Sequence, residues 1–233
     1  MSGQQFVTPV THVVFDMDGL LLDTEPRYER AINTVTTRYG KPYPLELRVR
    51  VIGTTQHDQA ELVVRELGLP ITPDQYIEEL NKEYYNVFDQ VPFLPGAERL
   101  VRHLHLNRVP IAIATSSKRH TFEMKTRDHQ ELFKLFEHIL ICSDDPDVKR
   151  GKPDPQSYEV AVTRFRSSKP QSMANVLVFE DSPAGVRSGM GAGCQVVWVP
   201  AREVPRSMAS PTITLDSLLD FRPEVFGLPP FDD

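Results

Sequence analysis

Two aspartates, Asp16 and Asp18, follow directly on a short apolar run, Val13-Val14-Phe15, and are followed by Gly19. The run reads as a buried strand, since two of its three residues are β-branched. Side chains alternate along an extended chain, so both carboxylates can leave its carboxyl end in the same direction. Carboxylates beside an apolar strand are costly without compensation. A divalent cation supplies it, and carboxylate and backbone carbonyl oxygens suit Mg²⁺. On this stretch alone an equal alternative stands: Asp-Gly is a turn signal, and the pair could simply end the strand.

Three further sites carry reactive residue types. Thr115 follows the apolar run Ile111–Ala114, Glu180-Asp181 follows Val176–Phe179, and Lys152 sits in Gly-Lys-Pro-Asp-Pro at 151–155. Each has an ordinary explanation by itself. Thr115 can cap a helix, Lys152 can be a solvated surface lysine, and Glu180-Asp181 can be acidic residues at a helix start, favoured by the dipole. Together they form a pattern, because Asp16, Asp18, Thr115, Glu180 and Asp181 all stand at the carboxyl ends of apolar strands. Ligands of a parallel α/β sheet gather at that edge.

The elements that must position them can be read in order. After Gly19 the residues from Glu25 to about Phe88 have helical spacing: Ala31, Val35 and Tyr39 share one face, Leu62, Val63, Glu66 and Leu67 continue before Gly68, and Tyr76, Leu80, Tyr84 and Phe88 recur at every fourth position. This is a helical insert of about four helices. A change of texture at Phe93-Leu94-Pro95-Gly96 introduces a helix to about Leu106. Strands at 111–114, 138–141, 176–179 and 196–199 then alternate with helices, and 212–215 reads as an edge strand. Asp23 or Thr24 can cap the first helix, and Ser182-Pro183 opens a later one. The proline-bearing tail, 221–233, is expected on the surface. Gly189, Gly191 and Gly193 suggest close packing near a helix end, since their spacing is not that of a nucleotide loop. The expected fold is α/β, a Rossmann-like parallel sheet with helices on both faces.

Composition excludes several functions. The chain has 233 residues, 40% hydrophobic and 25% charged, with a net charge of −6 and no long basic run. A nucleic-acid polymer is therefore not the expected partner. No apolar stretch reaches the roughly 18 residues of a membrane span, and residues 1–9 lack the apolar segment of a signal peptide. Cys142 and Cys194, the two cysteines, stand in or beside apolar runs and read as reduced thiols, which fits the cytoplasm.

Asp16-Met17-Asp18-Gly19, Thr115 after a strand, Lys152 in Gly-Lys-Pro-Asp-Pro and Glu180-Asp181-Ser182-Pro183-Ala184-Gly185 resemble, in order, the four motifs of the haloacid dehalogenase-like hydrolase superfamily. The insert after the first motif is similar to the helical cap of its β-phosphoglucomutase-like branch. The resemblance implies a catalytic core at 1–23 and 95–233 and a cap at 24–94. It implies Asp16 as nucleophile, forming an aspartyl-phosphate, and Asp18 as general acid and then base. It implies Mg²⁺ held by Asp16, the Asp18 backbone carbonyl and Asp181, with Glu180 in support. Thr115 and Ser116 would bind phosphoryl oxygens, and Lys152 would neutralise charge on Asp16 and the phosphoryl group.

The acidic residue at position 18 favours phosphate chemistry, because the dehalogenases of the superfamily lack one there. Sugar phosphomutases of the branch carry an arginine three residues after a cap glycine. In Gly53-Thr54-Thr55-Gln56 that place is Gln56, which argues for hydrolysis. Residues 15–25, 114–117, 150–155 and 226–229 are similar to the pseudouridine-5′-phosphatases, with Arg150 where those have histidine. The expectation is a monomeric, Mg²⁺-dependent phosphatase of a small phosphorylated metabolite, with pseudouridine 5′-phosphate foremost. FMN, sugar or glycerol phosphates, or a sugar phosphomutase using the same intermediate, are the alternatives. Tyr28, Tyr39, Tyr43, Tyr76, Tyr84 and Tyr85 could stack on a substrate ring, although their helical spacing fits a core.

Overall fold

The structure, a computed structural model, describes residues 8–51 and 54–232. Most of the segment read as lacking a leader, and Gly53, from which the mutase position is counted, lie outside the described residues.

Six parallel strands form one sheet: β1 (His12–Phe15), β2 (Ile111–Thr115), β3 (His138–Ile141), β4 (Val176–Glu180), β5 (Gln195–Trp198) and β6 (Ile213–Thr214), in the order β3-β2-β1-β4-β5-β6. Strands covered on both faces are apolar without interruption; hence the period of two shows in where each residue packs. Val13, Phe15, Ile111, Ile113, Leu177 and Phe179 pack on one face, and Val14, Ala112, Ala114, Val176 and Val178 on the other. Helices α5 (Ala97–Leu106), α6 (Arg119–Thr126) and α7 (Gln130–Phe133) flank β2 in the chain. Helices α8 (Gln156–Thr163) and α9 (Pro183–Gly191) cover the second face through Tyr158, Ala161 and Val186, with Phe165 just beyond α8. Gly189 is the predicted close contact, since a Cβ there would stand 2.9 Å from Val196.

Between β1 and β2 the chain forms α1 (Glu25–Arg38), α2 (Leu45–Val51), α3 (Gln56–Leu67) and α4 (Pro73–Val87), the four helices read from the spacing. Thr55 caps α3, a Thr72–Gln75 capping box opens α4, and Gly68 ends α3 in the left-handed region. Thr24 precedes α1 but makes no capping bond. Its hydroxyl accepts the Gly19 N–H at 3.1 Å and so ties down the turn after the aspartates. The segments entering and leaving the insert run side by side, with Asp23 N–H on Pro92 O and Leu94 N–H on Leu21 O, each at 2.9 Å.

The tail differs from its expected surface position. Phe221, Phe226 and Leu228 are buried in the first-face core, and Phe221 packs edge-on against Phe179 of β4. Their apolar area outweighs the helix-breaking effect of the neighbouring prolines, which the tail accommodates in 3₁₀ turns. No helix among the described residues is long and apolar enough to cross a membrane.

Candidate active site

The strand order reverses between β1 and β4, where a crevice opens beyond the carboxyl ends of the strands. The register sets Phe15 beside both Ile113 and Phe179, and Asp16 N–H bonds Phe179 O at 3.0 Å. The segments leaving these three strands therefore emerge at one level. Asp16, Asp18, Ser116, Lys152 and Asp181 line a single cavity of about 140 Å³, whose opposite wall is built by the insert's Glu25, Tyr28, Tyr43, Arg48, Gln56 and Tyr84.

Lys152 is the centre of the charge arrangement. Its buried ammonium donates to Asp16 Oδ1 at 2.6 Å, Glu180 Oε1 at 2.7 Å and the Ala114 carbonyl at 3.1 Å. Burial by itself would make it easier to deprotonate, but the charges of Asp16 and Glu180 outweigh that and hold it well above the ordinary lysine range. Glu180 keeps both oxygens engaged. Oε1 takes Lys152 and the Tyr158 hydroxyl, each at 2.7 Å, while Oε2 takes the N–H groups of Asp181 and Ser182 and the Ser182 hydroxyl, each at 3.0 Å. Those bonds hold Glu180 ionised against the effect of burial. Its carboxylate is thus turned to Lys152 and the start of α9, not into the cavity.

Asp16 and Asp181 are short of positive charge. Burial pushes Asp16 up to about 7, with Lys152 pulling against it and Glu180 and Asp18 adding to it. Burial and the charges of Glu180 and Asp16 raise Asp181 well above the usual carboxylate range. Its side chain accepts no hydrogen bond among the described residues, while its backbone carbonyl is fixed by the Trp198 indole N–H at 2.8 Å. Asp16 and Asp181 are buried carboxylates facing one cavity, and among the described residues only Asp16 is paired with a lysine, so the two fit a cation. Among the described residues no three His, Cys, Asp or Glu side chains converge on one point. A cation held by Asp16 and Asp181 would therefore keep waters in its remaining positions. Gly19 makes the approach possible: it turns at φ +73°, and a Cβ there would collide with the Asp181 carboxylate.

Two expected residues sit differently from their neighbours. Thr115 is wholly buried behind the wall. Its hydroxyl accepts the Ser117 N–H at 3.1 Å and points its own donor to Asp18 Oδ2 at 3.5 Å, so it orders the loop that presents Ser116 and Ser117 to the cavity. The Asp18 side chain turns toward Ser117 Oγ, 2.6 Å from Oδ2, and toward Lys125 Nζ, 2.5 Å from Oδ1. Lys125 is missed by sequence reading because it stands in no strand-end motif. The available signal is its place four residues after Thr121, on the face of α6 that is buried. Burial lowers its affinity for protons and the Asp18 charge opposes this. Of the tyrosines, Tyr28, Tyr43 and Tyr84 reach the cavity, Tyr76 is fully buried away from it and Tyr85 is exposed.

Residues 10–193 match the family model of haloacid dehalogenase-like hydrolases. The chain is 44% identical over 225 residues to a Drosophila melanogaster protein named as a probable pseudouridine-5′-phosphatase, covering 96% of each chain. It is 39% identical to (DL)-glycerol-3-phosphatase 2 of Arabidopsis thaliana, covering 96% of this chain and 94% of that one. In structure it superposes on β-phosphoglucomutase of Clostridium difficile with a TM-score of 0.76 at 20% identity, covering 92% and 94% of the two chains, a likeness of fold. With the parallel sheet, the helical insert after β1 and carboxylates gathered at the strand ends, the chain belongs to the haloacid dehalogenase-like hydrolases, as one of their phosphatases.

Proposed function

We propose that the chain is a Mg²⁺-dependent phosphomonoesterase that works through an aspartyl-phosphate on Asp16, with residues 24–94 as a cap over a core of 1–23 and 95–233. The observation that carries the reading is the convergence of Asp16, Asp18, Lys152 and Asp181 on one cavity at the strand-order reversal. An Asp16 oxygen attacks phosphorus as the bond to the ester oxygen breaks, and Asp18 delivers its proton to the departing alcohol. Water then attacks phosphorus, passes a proton to Asp18, and the bond to Asp16 breaks, releasing phosphate. Lys152 draws Asp16 toward its ionised form, against the effect of burial, and offsets charge on the phosphoryl oxygens. Ser116 and the loop ordered by Thr115 supply hydrogen bonds to those oxygens. Asp16, Asp181 and the Asp18 carbonyl would hold the metal, with Glu180 acting through Lys152 and the backbone of Asp181. The metal supplies further charge neutralisation at the phosphoryl group.

Pseudouridine 5′-phosphate is the leading substrate, supported by the name of the Drosophila relative. Glycerol phosphate follows from the Arabidopsis relative, with FMN and sugar phosphates next. The insert's wall suits a polar leaving group. Among the described residues Gln56 Oε1 and the Tyr43 hydroxyl are buried there without hydrogen-bond partners, and Arg48 is paired with Glu29 at 2.7 Å. Gln56 places an amide where a phosphomutase needs a second cationic clamp, which supports hydrolysis over transfer. Two buried, unpaired cysteines accord with a reducing compartment such as the cytoplasm.

The test is phosphate release from a panel of phosphomonoesters, ranked by kcat/KM, with Mg²⁺ and with EDTA. Activity should vanish on chelation and in Asp16→Asn. Full turnover in Asp16→Asn refutes the nucleophile, and transfer to a sugar phosphate faster than hydrolysis refutes the phosphatase reading.

A further inference from the structure

Lys125 lies within α6 with its side chain wholly out of solvent. Its ammonium has three donors and three internal acceptors: Asp18 Oδ1 at 2.5 Å, the Tyr28 hydroxyl at 3.0 Å and Ser117 Oγ. Ser117 Oγ in turn donates to Asp18 Oδ2, so lysine and serine grip both oxygens of one carboxylate. The rings of Tyr28 and Phe88 stand 5.2 Å and 5.3 Å from the nitrogen and close the remaining sides.

Packing does not account for this lysine. An apolar side chain of similar length would fill the same slot without the cost of burying an ammonium, and such replacements of buried ion pairs are often neutral or stabilising. The charge is better explained by what it does to Asp18, the carboxylate it pairs with among the described residues. Ser117 and Lys125 belong to the body of the sheet, whereas Tyr28 belongs to α1 of the insert, where it packs edge-on against Tyr84 and Phe88 at 5.5 Å and 5.0 Å. The network therefore crosses from sheet to insert. Withdrawing α1 would take one of the three acceptors from Lys125.

We propose that Lys125 is a positioning residue for Asp18, and that through Tyr28 it ties the aim of that carboxylate to the docking of the insert. The proposal rests on Asp18 being the acid and base of the reaction. A proton donor must stand within hydrogen-bond reach of the leaving oxygen, and small misplacements are costly.

The experiment compares two aryl esters of similar size in the full-length protein with Mg²⁺. The phenolate leaving 4-nitrophenyl phosphate needs little protonation; that leaving phenyl phosphate needs more. For each, kcat/KM reports steps up to the aspartyl-phosphate. Lys125→Met should lower kcat/KM for phenyl phosphate by ~10–100-fold, the range for partners that orient a functional group, and lower it much less for the nitrophenyl ester. In an Asp18→Asn background Lys125→Met should cost little more, because both changes remove the same function. Tyr28→Phe, which deletes one hydroxyl and keeps the ring, should give the same discrimination at smaller size and serves if Lys125→Met does not fold. Equal losses on both esters, or losses that persist in full beside Asp18→Asn, overturn the proposal. If Asp18→Asn itself fails to discriminate between the esters, the acid role of Asp18 is what falls.

Discussion

Lys152 and Lys125 show how much a single residue depends on its partners. Lys152 could be picked from its motif, although in isolation nothing separates it from a surface lysine. In the fold it is buried between Asp16 and Glu180 at 2.6 Å and 2.7 Å. Removing one partner of a buried ionic group leaves the other uncompensated, at about 3–5 kcal/mol. Lys152→Ala leaves two such carboxylates, so denaturant unfolding should show a loss of up to that order, less what their protonation recovers. Asp16 and Glu180 then both move toward protonation, and kcat/KM should fall by ~10²–10³-fold, as when one preorganised charge stabiliser is deleted. An unchanged unfolding midpoint would remove Lys152 from the site. Lys125 was not legible, because a lysine on a helix face normally reaches water and only its depth in the fold reveals the pairing. Asp18 was legible as a member of the pair, but the direction of its side chain was not, since Ser117 and Lys125 draw it toward residues about a hundred positions away in sequence.

At the scale of elements, the strands follow the hydrophobic pattern closely, with ends shifted by at most one residue. Thr115 and Glu180 belong to their strands instead of following them, and the helix after Lys152 starts only at Gln156. The junction of β4 and α9 carries the main structural demand. Ser182 caps α9 by accepting the Gly185 N–H at 3.0 Å, which folds the first turn of the helix onto the Glu180 carboxylate. A Cβ at Gly185 would overlap the Glu180 side chain. Gly185→Ala should therefore displace Glu180, release Lys152 and lower activity and melting temperature together. Gly40→Ala is the control: Gly40 also turns at positive φ, but a Cβ there meets nothing within 4 Å, so it should cost stability without touching kcat/KM. Equal effects of the two substitutions on kcat/KM would show that the Gly185 contact does not matter to the site.

For the whole molecule, the cluster of raised carboxyls makes stability depend jointly on pH and metal. Burial pushes Asp16 from an ordinary 3.8 up to about 7, so between those values the native state holds a proton that the unfolded chain has released. Its stabilising contribution is complete below the ordinary value and is lost as pH rises through about 7, and Asp181 acts in the same direction. Without added metal the melting temperature should fall across this window. Mg²⁺ binds the ionised form, so its stabilising increment should grow with pH; an increment that stays constant across the window would show that Asp16 and Asp181 do not hold it. The sequence by itself determined the parallel sheet, the helical insert after the first strand and the order of the chemical motifs, because apolar period and strand-end residues are local properties of the chain. Only the tertiary structure decided that the tail joins the core, that Glu180 faces Lys152 and not the cavity, that Thr115 stands behind the wall, and that Lys125 grips Asp18. Each of these is settled by which distant groups share a buried space, where an unpaired charge or an exposed apolar ring costs too much to remain.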